Sequence, residues 1–258
     1  MRIIAVTNQK GGVGKTAITV NLSHAIAIEG YRVLIVDMDP QAHSSSWLGF
    51  PIHEDTPTIT DYFLGKELNV KKLIYDTGRE NLSLLPANIN LAACEVALVD
   101  KPGREAYLRN GLKDLNYDFV FIDTPPAIGL LTVNALNAAT EVFIPIQLTS
   151  LALLGINALV TSISLVKENL NPALDITGVV MNFFDGRTNL SREIVGIVRN
   201  YFGDVTFSTW IPKAVKLDES ARMQKTIFEY APKSRVANAF RLLAKEILTR
   251  KGIKYAKA

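Results

Sequence analysis

Seven consecutive residues, Lys10-Gly11-Gly12-Val13-Gly14-Lys15-Thr16, combine glycines, two ammonium groups and a hydroxyl in an order suited to holding phosphate. The glycines let backbone N–H groups turn inward around phosphate oxygens. Lys15 is placed to reach the β- and γ-phosphates of a nucleotide, and the Thr16 hydroxyl to ligate Mg²⁺. Three carboxylates extend this chemistry. Asp37 and Asp39 alternate with Met38 just before Pro40-Gln41, so both acids project the same way from a strand end. Asp39 could orient or activate an attacking water; Asp37 could hold the Mg²⁺ shell or the loop. Asp123 closes the apolar run Phe119-Val120-Phe121-Ile122, a Walker B-type position from which a carboxylate holds Mg²⁺ through water.

The elements that must position these residues are legible in the pattern. Ile3-Ile4-Ala5-Val6 reads as a buried strand before the glycine loop, and Ile18, Leu22, Ala25 and Ile26 share one face of the helix after it. Its N-terminus directs a positive dipole end at the bound phosphate. Gly30 stops that helix, and Arg32–Val36 is the next strand. The polar stretch His43 to Ser46 is expected as a loop at the nucleotide edge. Short helical patterns occupy 59–75, a strand Leu82–Leu85, and a longer helix 91–112 with a break near Pro102-Gly103. Thr124-Pro125-Pro126 forces an extended exit from the strand that carries Asp123. Alternation continues with helix 130–137, strand 141–146, helix 151–170, strand 176–181 and helix 190–201. A last helix, opened by 229–234, presents Ala237, Phe240, Leu243 and Ile247 to the core. Strands alternating with helices predict an α/β fold, a doubly wound, mostly parallel sheet flanked by helices, with right-handed crossovers. No linker, repeat or low-complexity run interrupts residues 1–258, which reads as one domain.

Composition narrows the function further. Of 258 residues, 48% are hydrophobic and 21% charged, as in soluble globular chains, and no run approaches a membrane span. The N-terminus enters a core strand with no signal peptide ahead of it, which, with one cysteine, points to the cytoplasm. A single cysteine, Cys94 in an apolar helical context, also excludes an internal disulfide and a shared iron–sulfur cluster. Charge is unevenly placed: from Arg187 onward fifteen Lys and Arg face six Asp and Glu, a net +9, whereas residues 1–186 carry −6 of the overall +3. A basic C-terminal region, about 187–258, points to a polyanionic partner.

The glycine loop departs from the ordinary phosphate-loop pattern: Gln9 stands where a glycine is usual, and Lys10 adds a second lysine beside one triphosphate. K-G-G-x-G-K-T resembles the deviant Walker A loop of the ParA/MinD family of ATPases. V-D-x-D-P-Q at 36–41 and D-T-P-P at 123–126 resemble two further motifs of that family, in the same order. The likeness runs from Ile3 to about Ile247 and is nearest to the short, Soj-like partition ATPases. It implies that Lys10 reaches across a dimer interface to the partner's nucleotide and that Asp39 is the acid tied to hydrolysis. It also implies an adenine contact for Asn182, which as a bare residue equally reads as a loop cap, and for Pro212 in Ile211-Pro212-Lys213-Ala214.

The resemblance therefore implies a slow, partner-stimulated, Mg²⁺-dependent ATPase that forms a homodimer on ATP. Catalysis falls to Lys10, Lys15 and Asp39, nucleotide contacts to Lys10 through Ala17, and metal contacts to Thr16, Asp37 and Asp123. The ATP dimer would bind double-stranded DNA non-specifically on the nucleoid, with Arg187, Arg192, Lys213, Lys216, Arg222, Arg235 and Arg241 as the basic candidates. A ParB-like centromere-binding protein would release it, partitioning plasmid or chromosome copies. Three departures bear on the details. Ala17 replaces a common second threonine, Thr149 lies near the place of a family acid, and Lys213 stands where the family has arginine. A MinD-like membrane role is the alternative within the family, but the tail 251–258 offers only Ile253 and Tyr255 as bulky apolar residues. An ATP-gated binding module with negligible turnover is a further alternative.

Overall fold

The computed structural model describes residues 1–53, 56–147, 155–184, 189–250 and 255. In chain order the elements are β1 Arg2–Val6, α1 Lys15–Ile28, β2 Val33–Asp37, α2 His43–Trp47, α3 Ile59–Phe63, β3 Tyr75–Arg79 and β4 Leu82–Leu85. There follow α4 Leu91–Ala97, α5 Tyr107–Leu112, β5 Phe119–Asp123, α6 Leu130–Ala138, β6 Glu141–Gln147, α7 Ile156–Asn169, β7 Asp175–Phe184 and α8 Asn189–Phe202. The described chain ends with β8 Ile211–Pro212, α9 Val215–Arg222, α10 Ile227–Tyr230 and α11 Arg235–Thr249. Eight strands form one sheet in the order β3-β4-β2-β5-β1-β6-β7-β8, parallel throughout except for the antiparallel β3–β4 pair.

The pleat divides the strand residues between two cores. Ala5, Leu34, Val36, Val120 and Ile122 pack on one side with residues of α4 to α8. Ile4, Val6, Val33, Ile35, Phe119 and Phe121 pack on the other with α1, α10 and α11. Strands buried on both faces read as near-continuous apolar runs, which is why β1, β2, β5 and β6 stand out in the sequence. Helix α1 carries more than the expected apolar face. It is buried on all sides, from Ala17 through Ala27, between the sheet and the C-terminal helices.

Several expectations need correction. His43–Ser46 is helical rather than a loop, because Ser44 and Ser45 are held by buried carboxylates described below. The expected helix over 91–112 is two helices joined through a 3₁₀ turn at Arg104–Ala106, with Gly103 at φ 67 where the break was expected. The short helical patterns over 59–75 are α3 and a 3₁₀ turn at Val70–Leu73, and Tyr75–Arg79, for which no strand was expected, is an edge strand. The start of the expected helix at 151 and Thr149 lie outside the described residues, and the helix observed there is α7.

Candidate active site

Parallel pairing brings the chemistry-bearing residues to one sheet edge. β5 lies between β1 and β2, and in register Asp123 faces Val6 on one side and Asp37 on the other. All three strands end here, where open α/β sheets place their ligands. β1 leads directly into the glycine loop. Asn8 Nδ2 donates to the Pro145 carbonyl at 2.7 Å, and Thr124 Oγ1 to the Val6 carbonyl at 3.0 Å, tying the loop's entry to its neighbours.

The loop turns through left-handed backbone at Gly12 (φ 75) and Gly14 (φ 88). At Gly14 a side chain is excluded twice, since a Cβ there would also collide with Asn182 Nδ2. That amide nitrogen donates to the Val13 carbonyl at 2.8 Å, while Asn182 Oδ1 accepts from Phe183 N–H at 3.0 Å. Asn182 is fully buried and clamps the phosphate loop to the end of β7. Gly11 and Gly12 are exposed, and a methyl group added at either would meet no atom of the described residues within 4 Å, so the cradle has open space on its outer side.

Lys15 opens α1 and is 7% exposed, set in the field of Asp123 and Asp39. Burial pulls its ammonium below the usual lysine range, and the two carboxylates oppose that shift. Asp123 Oδ2 accepts from the hydroxyls of Thr16 and Ser44, each at 2.7 Å. Its Oδ1 is buried with no hydrogen-bond partner among the described residues. A buried carboxylate oxygen left bare, beside a threonine hydroxyl and a lysine, fits a bound cation and its phosphate ligand. Burial pushes the Asp123 carboxyl above the ordinary carboxylate range, against the Ser44 and Thr16 hydrogen bonds and the nearby Lys15. Asp37 is pushed up by burial and then by the facing Asp123.

Asp37 holds the loop. Its Oδ1 accepts from Asp39 N–H at 3.2 Å, and its Oδ2 accepts from Ser45 N–H at 2.9 Å and Ser45 Oγ at 2.7 Å. Asp39 lies just beyond β2, 7% exposed, with Oδ1 accepting from Gln41 N–H at 3.0 Å. Ser44 and Ser45 are contacts of the two buried carboxylates that the pattern did not reveal. Their signal was only a polar run next to the acids, and α2 turns that run toward Asp123 and Asp37. Lys10 is half-buried at the head of the loop, its N–H donating to Asn8 Oδ1 at 3.0 Å.

Comparison with known proteins gives the family. A family model described as an AAA domain matches residues 1–176. The sporulation initiation inhibitor protein Soj of Bacillus subtilis is 43% identical over 95% of this chain and 98% of its own length. The chromosome-partitioning ATPase Soj of Treponema pallidum is 40% identical over 97% of this chain and 98% of its own. The chain belongs to the ParA/Soj family of chromosome-partitioning ATPases. Among solved structures, one named cobyrinic acid a,c-diamide synthase, from Mycobacterium smegmatis with bound ATP analogue and magnesium, superposes with TM-score 0.86. It is 32% identical and covers 99% of this chain and 100% of that one.

Within this ParA/Soj fold the described basic candidates sit at the end of β8, on α9 and on α11. Lys213, Lys216 and Arg235 line one groove beside β8 and the start of α11. Arg222 is exposed at the end of α9. Arg241 lies over the Phe228 ring, 5.1 Å from its centroid, and donates to the Pro232 carbonyl at 2.9 Å. Arg187 lies outside the described residues, as does the side chain of Arg192. Pro212 ends β8 beside Phe184 of β7. No helix among the described residues is long and apolar enough to cross a membrane. Tyr255, one of the two bulky apolar residues of the tail, docks on the fold with its ring against Tyr201 and Phe202; Ile253 lies outside the described residues.

Proposed function

We propose that this chain is a single-domain ATPase, residues 1–258, whose ATP-bound homodimer holds double-stranded DNA and partitions plasmid or chromosome copies with a ParB-like partner. The observation that supports it is the unequal placement of two lysines on one loop. Lys15 is buried among Asp39 and Asp123, where one ammonium already serves the chain's own phosphates. Lys10 sits at the half-buried head of the loop, next to exposed Gly11 and Gly12, where a second subunit can approach.

In this reading the loop amides and Lys15 bind and orient the β- and γ-phosphates. Thr16 and Asp123 hold Mg²⁺, which when bound neutralises phosphate charge. Ser44 fixes the Asp123 carboxylate, and Asp37 fixes the turn that carries Asp39. Asp39 orients the attacking water and accepts its proton, and Lys10 from the partner stabilises charge developing on the γ-phosphate. Pro212 flanks the base, while Asn182 holds the phosphate loop through the Val13 carbonyl. Dimerisation joins two basic C-terminal surfaces, so grip on DNA follows nucleotide state. The protein then works in the cytoplasm, on the nucleoid, and the partner stimulates its slow hydrolysis.

Retention of a random-sequence duplex, measured with no nucleotide, ADP and ATP, tests the reading. Binding confined to ATP, with a log–log salt slope of about −0.9 for each phosphate neutralised, is expected. Equal retention in all three states overturns the coupling. Vesicle flotation with ATP separates this function from a membrane role.

A further inference from the structure

Helix α2 is fastened at both ends to groups far away in the chain. At its start Ser44 Oγ donates to Asp123 Oδ2 at 2.7 Å, the oxygen that Thr16 also binds, and Ser45 donates twice to Asp37. At its end Trp47 Nε1 donates to the Lys225 carbonyl at 2.9 Å, in the turn between α9 and α10. That turn meets the α2 end twice more. Arg79 bridges the two, donating to the Leu48 carbonyl at 3.0 Å and the Gln224 carbonyl at 3.1 Å. Gly49 lies so close that a Cβ added to it would be 3.5 Å from the Gln224 Cβ. One short helix, about 7.5 Å long at 1.5 Å per residue, thus separates the Asp123 carboxylate from a C-terminal turn.

Both ends of this path hold strained backbone. Among the described residues four other than glycine are left-handed, and two of them are Ala42, which leads into α2 (φ 52), and Gln224 in the turn (φ 54). Such backbone is costly for a residue with a Cβ and persists only where its surroundings enforce it. At Gln224 the enforcing contacts come from α2 and Arg79. The turn's own bonds are local, from Gln224 N–H to the Ala221 carbonyl and from Lys225 N–H to the Ser220 carbonyl, each at 3.0 Å. Beyond it α10 is fixed to α1, where Ile227 N–H donates to Asn21 Oδ1 at 2.7 Å, so slack in the turn passes to α9. We propose that α2 is a two-position strut. It holds the Gln224 turn strained while Ser44 is bonded to Asp123, and releases it when nucleotide and Mg²⁺ occupy the site. A ligand shifts such an equilibrium only by favouring one position, and an Asp123 oxygen freed from Ser44 for the cation supplies that difference. The inference rests on the nucleotide reading of the loop. It adds a route, inside one subunit, from that site to α9, which carries Lys216 and Arg222.

Amide hydrogen exchange of the full chain tests it, read by mass spectrometry on peptides covering 8–18 and 221–227. The chain is measured alone, with β,γ-imido ATP and Mg²⁺, and with the same nucleotide and EDTA. With nucleotide and Mg²⁺, slower exchange at 8–18 reports an occupied loop, and exchange at 221–227 is expected to rise at least about fivefold, roughly the worth of one hydrogen bond. Unchanged or slower exchange at 221–227 with the loop occupied overturns the strut alone. An unprotected loop overturns the nucleotide reading and the strut with it. A rise of equal size in EDTA removes the cation from the proposal and overturns it. Trp47→Phe keeps an aromatic ring and deletes the donor. In that variant 221–227 should exchange fast in every state and respond less than about twofold, with loop protection as in wild type; a wild-type response overturns the proposal. If Trp47→Phe fails to fold, Gln224→Gly takes its place. Glycine removes the strain at φ 54, so exchange should stay slow in every state, and a wild-type response again overturns the proposal. Lys10→Ala should respond as wild type, because the strut lies within one chain; a response lost there assigns the change to subunit pairing and overturns it.

Discussion

Two serines carry information that no motif announced. Ser44 and Thr16 donate to the same oxygen of Asp123, which leaves the other oxygen buried and bare. Removing Ser44 leaves Thr16 as the one hydroxyl donor to that oxygen among the described residues, so the carboxylate can swing and, in the proposed reading, the threonine hydroxyl is drawn away from the metal. Ser44→Ala should raise the Mg²⁺ concentration for half-maximal ATP hydrolysis by about 10-fold, in line with other outer-sphere partners of metal ligands. A Mg²⁺ titration of phosphate release reads this directly; an unchanged midpoint would remove Ser44 from the site. Lys15, Thr16 and Asp123 were legible because strand, glycine loop and acid-terminated strand each have a strong local pattern. Ser44 was not, because what brings it to the site is a contact spanning 79 residues, to Asp123. Asn182 shows the same limit: as a residue it reads as a cap or a base contact, and the fold turns it onto the carbonyl of Val13.

At the scale of elements, the β7 end and the phosphate loop act as a lock, and the glycines of that loop differ in what they tolerate. A methyl at Gly14 meets left-handed backbone and the Asn182 amide together, whereas one at Gly11 meets nothing. Gly14→Ala should therefore destabilise the chain by about 1–3 kcal/mol, and Gly11→Ala should leave its urea midpoint unchanged while impairing ATP-dependent assembly. Helix α1 supplies a pH response. His24 is 9% exposed, with Nδ1 2.6 Å from Thr226 Oγ1 and its ring edge-on to Phe228. Burial pushes its pKa down to about 4, with Glu229 opposing and Arg79 adding to the shift. The unfolded chain takes up this proton near pH 6.5 and the folded chain only near 4. Stability is then complete above about pH 6.5 and declines as pH falls toward 4, by up to about 3 kcal/mol. His24→Gln should flatten that part of the profile, as judged by urea midpoints at pH 7.5 and 5; a profile of unchanged steepness would place the response elsewhere. The buried strands were readable as apolar runs, but β3 was not. Tyr75–Arg79 has little apolar content and is held by tertiary contacts: Arg79 donates to Glu229 at 2.9 Å, to the Leu48 carbonyl at 3.0 Å and to the Gln224 carbonyl at 3.1 Å. Likewise α2 is a five-residue helix rich in serine, a poor helix former, and exists because Asp37 and Asp123 accept from it.

The whole molecule raises the question of whether one copy contains a complete site. If Lys10 acts within its own chain, Lys10→Ala and Asp39→Ala each disable the site of the subunit that carries them, so a mixed pair has two dead sites and mixing restores nothing. If Lys10 acts across a two-fold interface while Asp39 acts in its own chain, the two defects segregate. In a mixed pair, the subunit carrying Lys10→Ala keeps its Asp39 and receives an intact Lys10 from its neighbour, so one site of the two is whole. Two inactive proteins then recover turnover on mixing, one working site for each mixed pair. Each variant alone should still bind ATP, since Lys15 and the loop amides are untouched. Lys10→Ala alone should remain monomeric with ATP in light scattering, and Asp39→Ala alone should stay paired and bound to duplex. Phosphate release from the mixture decides between the two geometries: recovery requires a lysine that crosses the interface, and continued silence confines Lys10 to its own subunit and leaves the basic C-terminal surfaces without a nucleotide-controlled means of being joined.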